Sequence, residues 1–283
     1  MNLEQELVRL NHAIDMAKQG IEPQQNTTVE MNLIVCEFNA SHGSFMQSVS
    51  YLTNMPRMRT ITLYPRCLDE QKLLILNQIA ELKKVQREKR VKLLLAHADI
   101  PKRFEHASFD NFNPINTQAE KKLKVCRAYV DKWPDRLSKG GGIVMMGQPG
   151  MGKNHLATAI AKTIIHKYCH SVVMTSVLKI VRDYRSSWKK TANNVEYDVI
   201  DHFTRPKLLI IDGVGVQYGT ETEKLILFEI INHRYKAMKP TILISNETRE
   251  MLVKYIDDRV MDRMREGGGC ELNFDWESYR TKV

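Results

Sequence analysis

Residues 142–158 read Gly-Ile-Val-Met-Met-Gly-Gln-Pro-Gly-Met-Gly-Lys-Asn-His-Leu-Ala-Thr, an apolar run, a glycine-rich turn and the start of a helix-forming stretch. Ile143 to Met146 predict a buried strand. Gly147, Gly150 and Gly152 supply positions where the backbone can turn left-handed or approach a ligand closely, so that its N–H groups wrap an anionic oxygen. Lys153 then stands at a helix N-terminus, beside free N–H groups and the positive end of the helix dipole, and a phosphate is attracted by all three. The spacing from Gly147 to Lys153 fits the Walker A pattern, with Gln148, Pro149, Met151 and His155 completing the loop and the first helical turn. Its departure is Asn154, where Ser or Thr is usual; an amide oxygen can still reach Mg²⁺ directly or through water. A glycine turn with a surface lysine is the bland alternative, and it leaves the strand before and the helix after unexplained.

Outward from this loop, strands and helices alternate. Ser171–Thr175, Lys207–Asp212, Thr241–Ser245 and Cys270–Phe274 predict strands, with helices over Ser176–Trp188 and Glu221–Met238 and a basic helix over Gln118–Trp133. This alternation implies an α/β fold with a doubly wound parallel sheet, whose ligands bind beyond the carboxyl ends of the strands. The P-loop lies at that edge, and so do Asp212 and Asn246. Leu208-Leu209-Ile210-Ile211-Asp212 presents a carboxylate at the end of an apolar strand, as a Walker B aspartate is presented to a metal ion.

Four stretches together carry a resemblance: Gly-Met-Gly-Lys-Asn154-His-Leu-Ala, Ile211-Asp212-Gly-Val-Gly-Val-Gln217, Arg259-Val-Met-Asp-Arg263-Met-Arg265 and Phe274-Asp-Trp-Glu-Ser-Tyr-Arg280. Over roughly residues 90–283 the chain resembles the DnaC-type bacterial replicative helicase loaders, a branch of the AAA+ ATPases; residues 1–67 match nothing comparable. Related transposition helper ATPases usually have Ser or Thr where Asn154 stands, which favours the loaders. The resemblance implies ATP and Mg²⁺ as cofactors, with Lys153 on the β/γ-phosphates, Asn154 and Asp212 on the metal, Asn246 as the polar sensor-1 residue, Arg263 as an arginine finger and Arg280 as sensor 2. Arg259 and Arg265 are rivals for the finger, and a merely solvated basic face is the plain alternative. It further implies a hexameric replicative helicase and single-stranded DNA as partners, and ATP-dependent assembly into a homo-oligomer. Two other functions stay open: a helper ATPase that recruits a transposase to DNA, and a nucleotide-gated adaptor with little turnover. With about nine residues after the last strand, the C-terminal lid of many AAA+ proteins is not expected. Gly213 departs from the loaders, which carry there the glutamate that polarises the attacking water, so ATPase activity is expected to be weak.

Charge divides the chain. Residues 1–56 hold two bases against six acids, a net −4, which leaves +13 of the overall +9 to residues 57–283. A basic body suits a polyanionic partner. Lys179, Arg182 and Arg185 fall on one side of the helix after Ser176 and are the candidate nucleic-acid contacts, while Tyr184 and Trp188 share the stripe of Val177, Ile180 and Val181 and are expected in the core.

Leu3, Leu7, Leu10 and Ile14 predict an amphipathic helix that ends at Gly20 and either packs on its own domain or docks in a partner. Residues 29–38 and 58–64 predict strands around a segment without a clear assignment, and Asp69–His97 predicts one long helix or two. Pro101 and the Asn- and aromatic-rich stretch 104–114 are expected to be a linker. This gives a divergent N-terminal partner-binding domain at 1–100 and the ATPase domain at 101–283. No apolar stretch is long enough to cross a bilayer, the N-terminus lacks a basic-then-apolar leader, and the five cysteines have no ligand spacing, so a cytoplasmic protein is expected.

Overall fold

A computed structural model describes residues 3–19, 27–36, 40–52, 60–61, 65–187, 195–215 and 221–279. Gly20, Trp188 and Arg280, singled out above, lie outside them. The chain forms two compact units, Met1–Glu88 and Lys89–Val283.

The first unit begins with α1 (Leu3–Gln19) and continues as an antiparallel sheet. Its strands are β1 (Thr27–Val35), β2 (Ser44–Leu52) and β3 (Thr60–Ile61), with β2 central and β1 paired to it from Thr27 opposite Leu52 to Val35 opposite Ser44. The unassigned segment after residue 38 therefore contains a strand. Helix α2 (Pro65–Ala96), whose last eight residues belong to the second unit, is continuous, because no Gly or Pro interrupts it after its first residue and each residue adds a hydrogen bond to a helix already nucleated.

In the second unit, β4 (Ile143–Gly147), β5 (Val172–Ser176), β6 (Leu208–Asp212), β7 (Thr241–Ser245) and β8 (Cys270–Phe274) form a five-stranded parallel sheet in the order β5-β6-β7-β4-β8. Its helices are α3 (Thr117–Asp131), α4 (Trp133–Lys139), α5 (Lys153–Tyr168), α6 (Val177–Ser187), α7 (Val195–Thr204), α8 (Glu221–Lys236), α9 (Arg249–Ile256) and α10 (Asp258–Arg265). The expected basic helix is α3, which ends two residues earlier than expected, and the short α4 beyond it, α7 and α9 were not anticipated.

Both faces of the sheet are covered, which is why its strands read as continuous apolar runs. Ile143, Met145, Ile210 and Ile242 face Leu156, Ile160 and Ile164 of α5, while Val144, Met146, Leu209 and Ile211 face Ile180 of α6, Ile230 of α8 and Met261 of α10. Each such fully buried side chain contributes about 1.5–3 kcal/mol. Arg234 is fully buried and pairs with no carboxylate among the described residues; it donates to the carbonyls of Phe203 (3.0 Å), Pro206 (2.9 Å) and Pro240 (2.7 Å) and to Thr241 Oγ1 (2.9 Å). This guanidinium ties the loop before β6 to the loop before β7 at the end of the sheet opposite the P-loop.

Candidate nucleotide site

The strand order decides which residues meet. Because β7 lies between β6 and β4, the carboxyl ends of three adjacent strands deliver Asp212, Asn246 and the P-loop to one edge. There a cavity of about 530 Å³ is lined by Pro149, Gly150, Gly152, Lys153, Asn154, His155, Asp212 and Asn246, among others. A cleft of this size suits a nucleotide.

Within it, Lys153 is only 5% exposed and its ammonium donates to the carbonyls of Gly147 and of Gln148 (2.9 Å). Gly152, the N-cap of α5, has φ 90°, and a Cβ there would stand 2.6 Å from Phe112 Cε2. Glycine is therefore required on two counts. Asn154 Nδ2 donates to Asp212 Oδ2 at 2.8 Å, whereas Asn154 Oδ1 is buried without a hydrogen-bond partner among the described residues. An amide oxygen in that condition, beside a carboxylate, is a donor set that fits a hard divalent cation. Gly147, Gln148 and Met151 are not among the lining residues; the Gly147 and Gln148 carbonyls hold the Lys153 ammonium, and Met151 packs into the core and can offer only its backbone.

The opposite wall comes from the stretch expected to be a linker. Arg103, Phe104, Asn111, Phe112 and Asn113 line the cavity, with Tyr279 beside them. Asn111 folds this segment: its Oδ1 accepts from Ser108 N (2.8 Å), and its Nδ2 donates to His106 O (2.7 Å). His155 then bonds Ser108 O through Nε2 (2.8 Å), and Phe112 meets the His155 ring edge-on at 5.4 Å. Tyr279 N donates to Gly150 O (3.0 Å) and its hydroxyl to Asn113 O (2.9 Å). Burial pushes the Tyr279 phenol further up from its ordinary value. The signal available in the sequence was aromatic and amide residues concentrated in a non-periodic segment.

The remaining candidates lie elsewhere. Arg263 is stacked on α8, with its guanidinium carbon 5.4 Å from the Phe228 ring centroid and 5.1 Å from that of Tyr235, and its Nη1 is buried without a hydrogen-bond acceptor. Arg265 bonds Glu271 at 2.7 Å, while Arg259 is exposed and makes no ion pair among the described residues. On α6, Lys179 is paired with Asp99 and Arg185 lies 3.6 Å from the buried Glu223; Arg182 is exposed, and Tyr184 is in the core. After Asp212 the chain turns at Gly213 with φ 74°, and neither Glu221 nor Glu223 lines the cavity. Glu221 instead pairs with Lys224 at 3.2 Å.

A parallel sheet with helices on both faces, a P-loop after β4 beside the central strand β7, and an acid at the end of β6 on the other side of β7 define an AAA+ nucleotide-binding domain. The profile of the family described as IstB-like ATP binding protein matches residues 70–282, and the chain belongs to that family. It is 26% identical over 239 residues to the replicative helicase loader DnaC of Buchnera aphidicola subsp. Acyrthosiphon pisum (strain APS), covering 82% of this chain and 96% of that protein. To the replicative helicase loader DnaC of Escherichia coli (strain K12) it is 30% identical over 179 residues, 63% of this chain and 71% of that one. The crystal structure of the DnaC helicase loader shares the fold, with a TM-score of 0.55 at 21% identity over 62% of this chain and all of that one. Among the described residues no helix is long and apolar enough to cross a membrane.

Proposed function

We propose that the protein is an ATP-dependent loader that binds a hexameric replicative DNA helicase and single-stranded DNA and delivers the helicase during replication. The observation that carries this reading is the extended match to replicative helicase loaders, joined to a P-loop in which Asn154, the residue that departs from the usual Walker A, contacts Asp212. Residues 1–100 hold the helicase and residues 101–283 form the ATPase part.

In this reading the loop from Gly147 to His155 and Lys153 bind the phosphates, and Asn154 with Asp212 hold Mg²⁺, which neutralises phosphate charge when bound. Asn246 senses the γ-phosphate, and Arg280 assists in the same subunit. Arg263 reaches the nucleotide of a neighbouring subunit, so that assembly depends on ATP. Lys179, Arg182 and Arg185 contact the DNA backbone. Gly213 offers no carboxylate to the attacking water, and the ATP-bound state persists as an assembly switch with low turnover.

Retention of the cell's replicative helicase on the immobilised full chain, with and without ATP, tests the function. A transposase retained in its place would support the rival helper ATPase and overturn the loader. Deleting residues 1–67 should abolish helicase retention and spare nucleotide binding; helicase retention by residues 100–283 alone would remove the N-terminal handle.

A further inference from the structure

The first unit contains a cluster that the nucleotide chemistry does not use. Cys36 follows β1, and its backbone N–H donates to Gly43 O at 3.2 Å, which closes the connection to β2. His42 ends the short 3₁₀ turn Ala40–His42, and Glu70 lies in the second turn of α2. Their side chains form a chain of contacts: Cys36 Sγ is 3.3 Å from His42 Nδ1, and His42 Nε2 is 2.8 Å from Glu70 Oε2.

We propose that Cys36, His42 and Glu70 form a base-activated cysteine that is oxidised by small peroxides. The order of groups is the one nucleophilic thiols need: a sulphur within reach of one imidazole nitrogen, and a carboxylate on the other nitrogen to hold the ring and stabilise its cation. Burial selects the reagent. Cys36 is 6% exposed and the His42 side chain 1%, whereas Glu70 keeps 38% of its side chain in water, so the sulphur is closed to bulky reagents and the proposal requires a small uncharged one. Contact with Glu70 first, and with Cys36 second, raises the His42 pKa above the ordinary imidazole value, which favours the thiolate–imidazolium form.

Cys126 gives the contrast within the same chain. It is fully buried and burial pushes its thiol up, out of reach of ionisation at neutral pH.

The step balances with a peroxide as the oxidant. The Cys36 thiolate attacks one peroxide oxygen, the S–O bond forms as the O–O bond breaks, and the departing oxygen takes the proton from the His42 imidazolium. Sulphur is oxidised by two electrons to a sulfenic acid, the peroxide is reduced, and hydrogen peroxide yields water.

The reduced full chain, treated with hydrogen peroxide at pH 7 and trapped with dimedone, is digested so that mass spectrometry resolves the five cysteines. An unactivated thiol is only a few per cent thiolate at this pH, so Cys36 should be trapped on the order of tenfold faster than the half-exposed Cys169, and Cys126 not at all. His42→Gln should slow trapping at Cys36 by about tenfold, and Glu70→Gln by less. The direction separates lost activation from lost structure, because loosening the unit would expose Cys36 and speed its labelling. Trapping at Cys36 no faster than at Cys169 in the parent, or a His42→Gln variant that melts with the parent and reacts as fast as it or faster, would overturn the proposal.

Discussion

The nucleotide edge and the two arginine-bearing helices hold their charges in opposite ways. At the P-loop, Asn154 Oδ1 is buried and lacks a partner among the described residues, and the Lys153 ammonium rests on the loop's own carbonyls. On α10 and α6, Arg265 and Lys179 are paired with carboxylates, Arg185 lies near Glu223, and Arg263 is stacked on two aromatic rings, with its Nη1 alone left without an acceptor among the described residues. The first region is built around something that one chain can bind. The second has already met much of its need for partners within the chain, and a ligand or neighbour must compete for those side chains. A charged residue's identity thus says less about function than the alternatives its fold provides.

Substitution at Lys153 should give the largest effect. Lys153→Ala removes a nearly buried cation whose contacts to a phosphate would be charge-assisted, and nucleotide affinity should fall by about 2–3 kcal/mol, roughly a hundredfold, in a titration with a fluorescent ATP analogue. A loss under threefold would mean that backbone N–H groups alone hold the phosphates.

Next comes Gly213, where backbone and chemistry conflict. Its φ of 74° lies in the left-handed region, so any side chain there costs about 1–2 kcal/mol of stability. Gly213→Ala measures that strain, and Gly213→Glu adds the carboxylate that the loaders carry. Both variants should melt earlier than the parent to a similar degree, while the glutamate variant should hydrolyse ATP at least about tenfold faster than the alanine variant. Equal rates would show that a carboxylate at this turn does not reach the water.

Arg263 should give a smaller change and a different pattern. Arg263→Ala removes the stack on Phe228 and Tyr235, costing about 1 kcal/mol of stability, and should leave monomer affinity for ATP within twofold of the parent while weakening ATP-dependent assembly in sedimentation. If Arg259→Ala abolishes assembly and Arg263→Ala does not, the exposed arginine is the finger and the stacked one is structural.

The parts read correctly from the sequence were those encoded locally. Ile143–Met146, Leu208–Ile211 and Thr241–Ser245 are buried on both faces, so each reads as a mainly apolar run, and the P-loop, Asp212 and Asn246 follow directly on them. The P-loop itself followed from motif spacing, because strand, loop and helix fix one another over a few residues, whereas Asn154 beside Asp212, 58 residues apart, was implied by the family resemblance and is brought about by the order of the strands.

What escaped depends on partners distant in sequence. Phe112 packs on Gly152 forty residues away, which turned an expected linker into a wall of the cavity. The ring stack around Arg263 joins α10 to α8, and no helical pattern announces it. Strand β2 is specified by its pairing with β1; the alternation Ser48-Val49-Ser50-Tyr51 was a signal, too short to outweigh the surrounding serines and glycine. Helix α7 has β-branched and aromatic residues of middling propensity, and it packs through Ile200 and Phe203 against the face shared with α6 and α8.

The smallest expected effect bears on whether α6 touches DNA at all. Each lysine or arginine that neutralises a phosphate releases counterions, so its loss should flatten the dependence of log affinity on log salt by somewhat less than one unit. The three candidates should not be equal. Lys179 must leave Asp99, and Arg185 must leave the neighbourhood of Glu223, before either meets a phosphate, whereas Arg182 is exposed on the same side of the helix. Arg182→Gln should therefore flatten the slope for a single-stranded oligonucleotide more than Lys179→Gln or Arg185→Gln. Asp99→Asn, which releases Lys179, should steepen it. Glutamine is the substitution of choice because it removes the charge without introducing a repulsion that would weaken binding for other reasons. A slope unchanged in all four variants would identify α6 as a solvated face held by its own ion pairs, and DNA contact would have to be sought on another surface of the second unit.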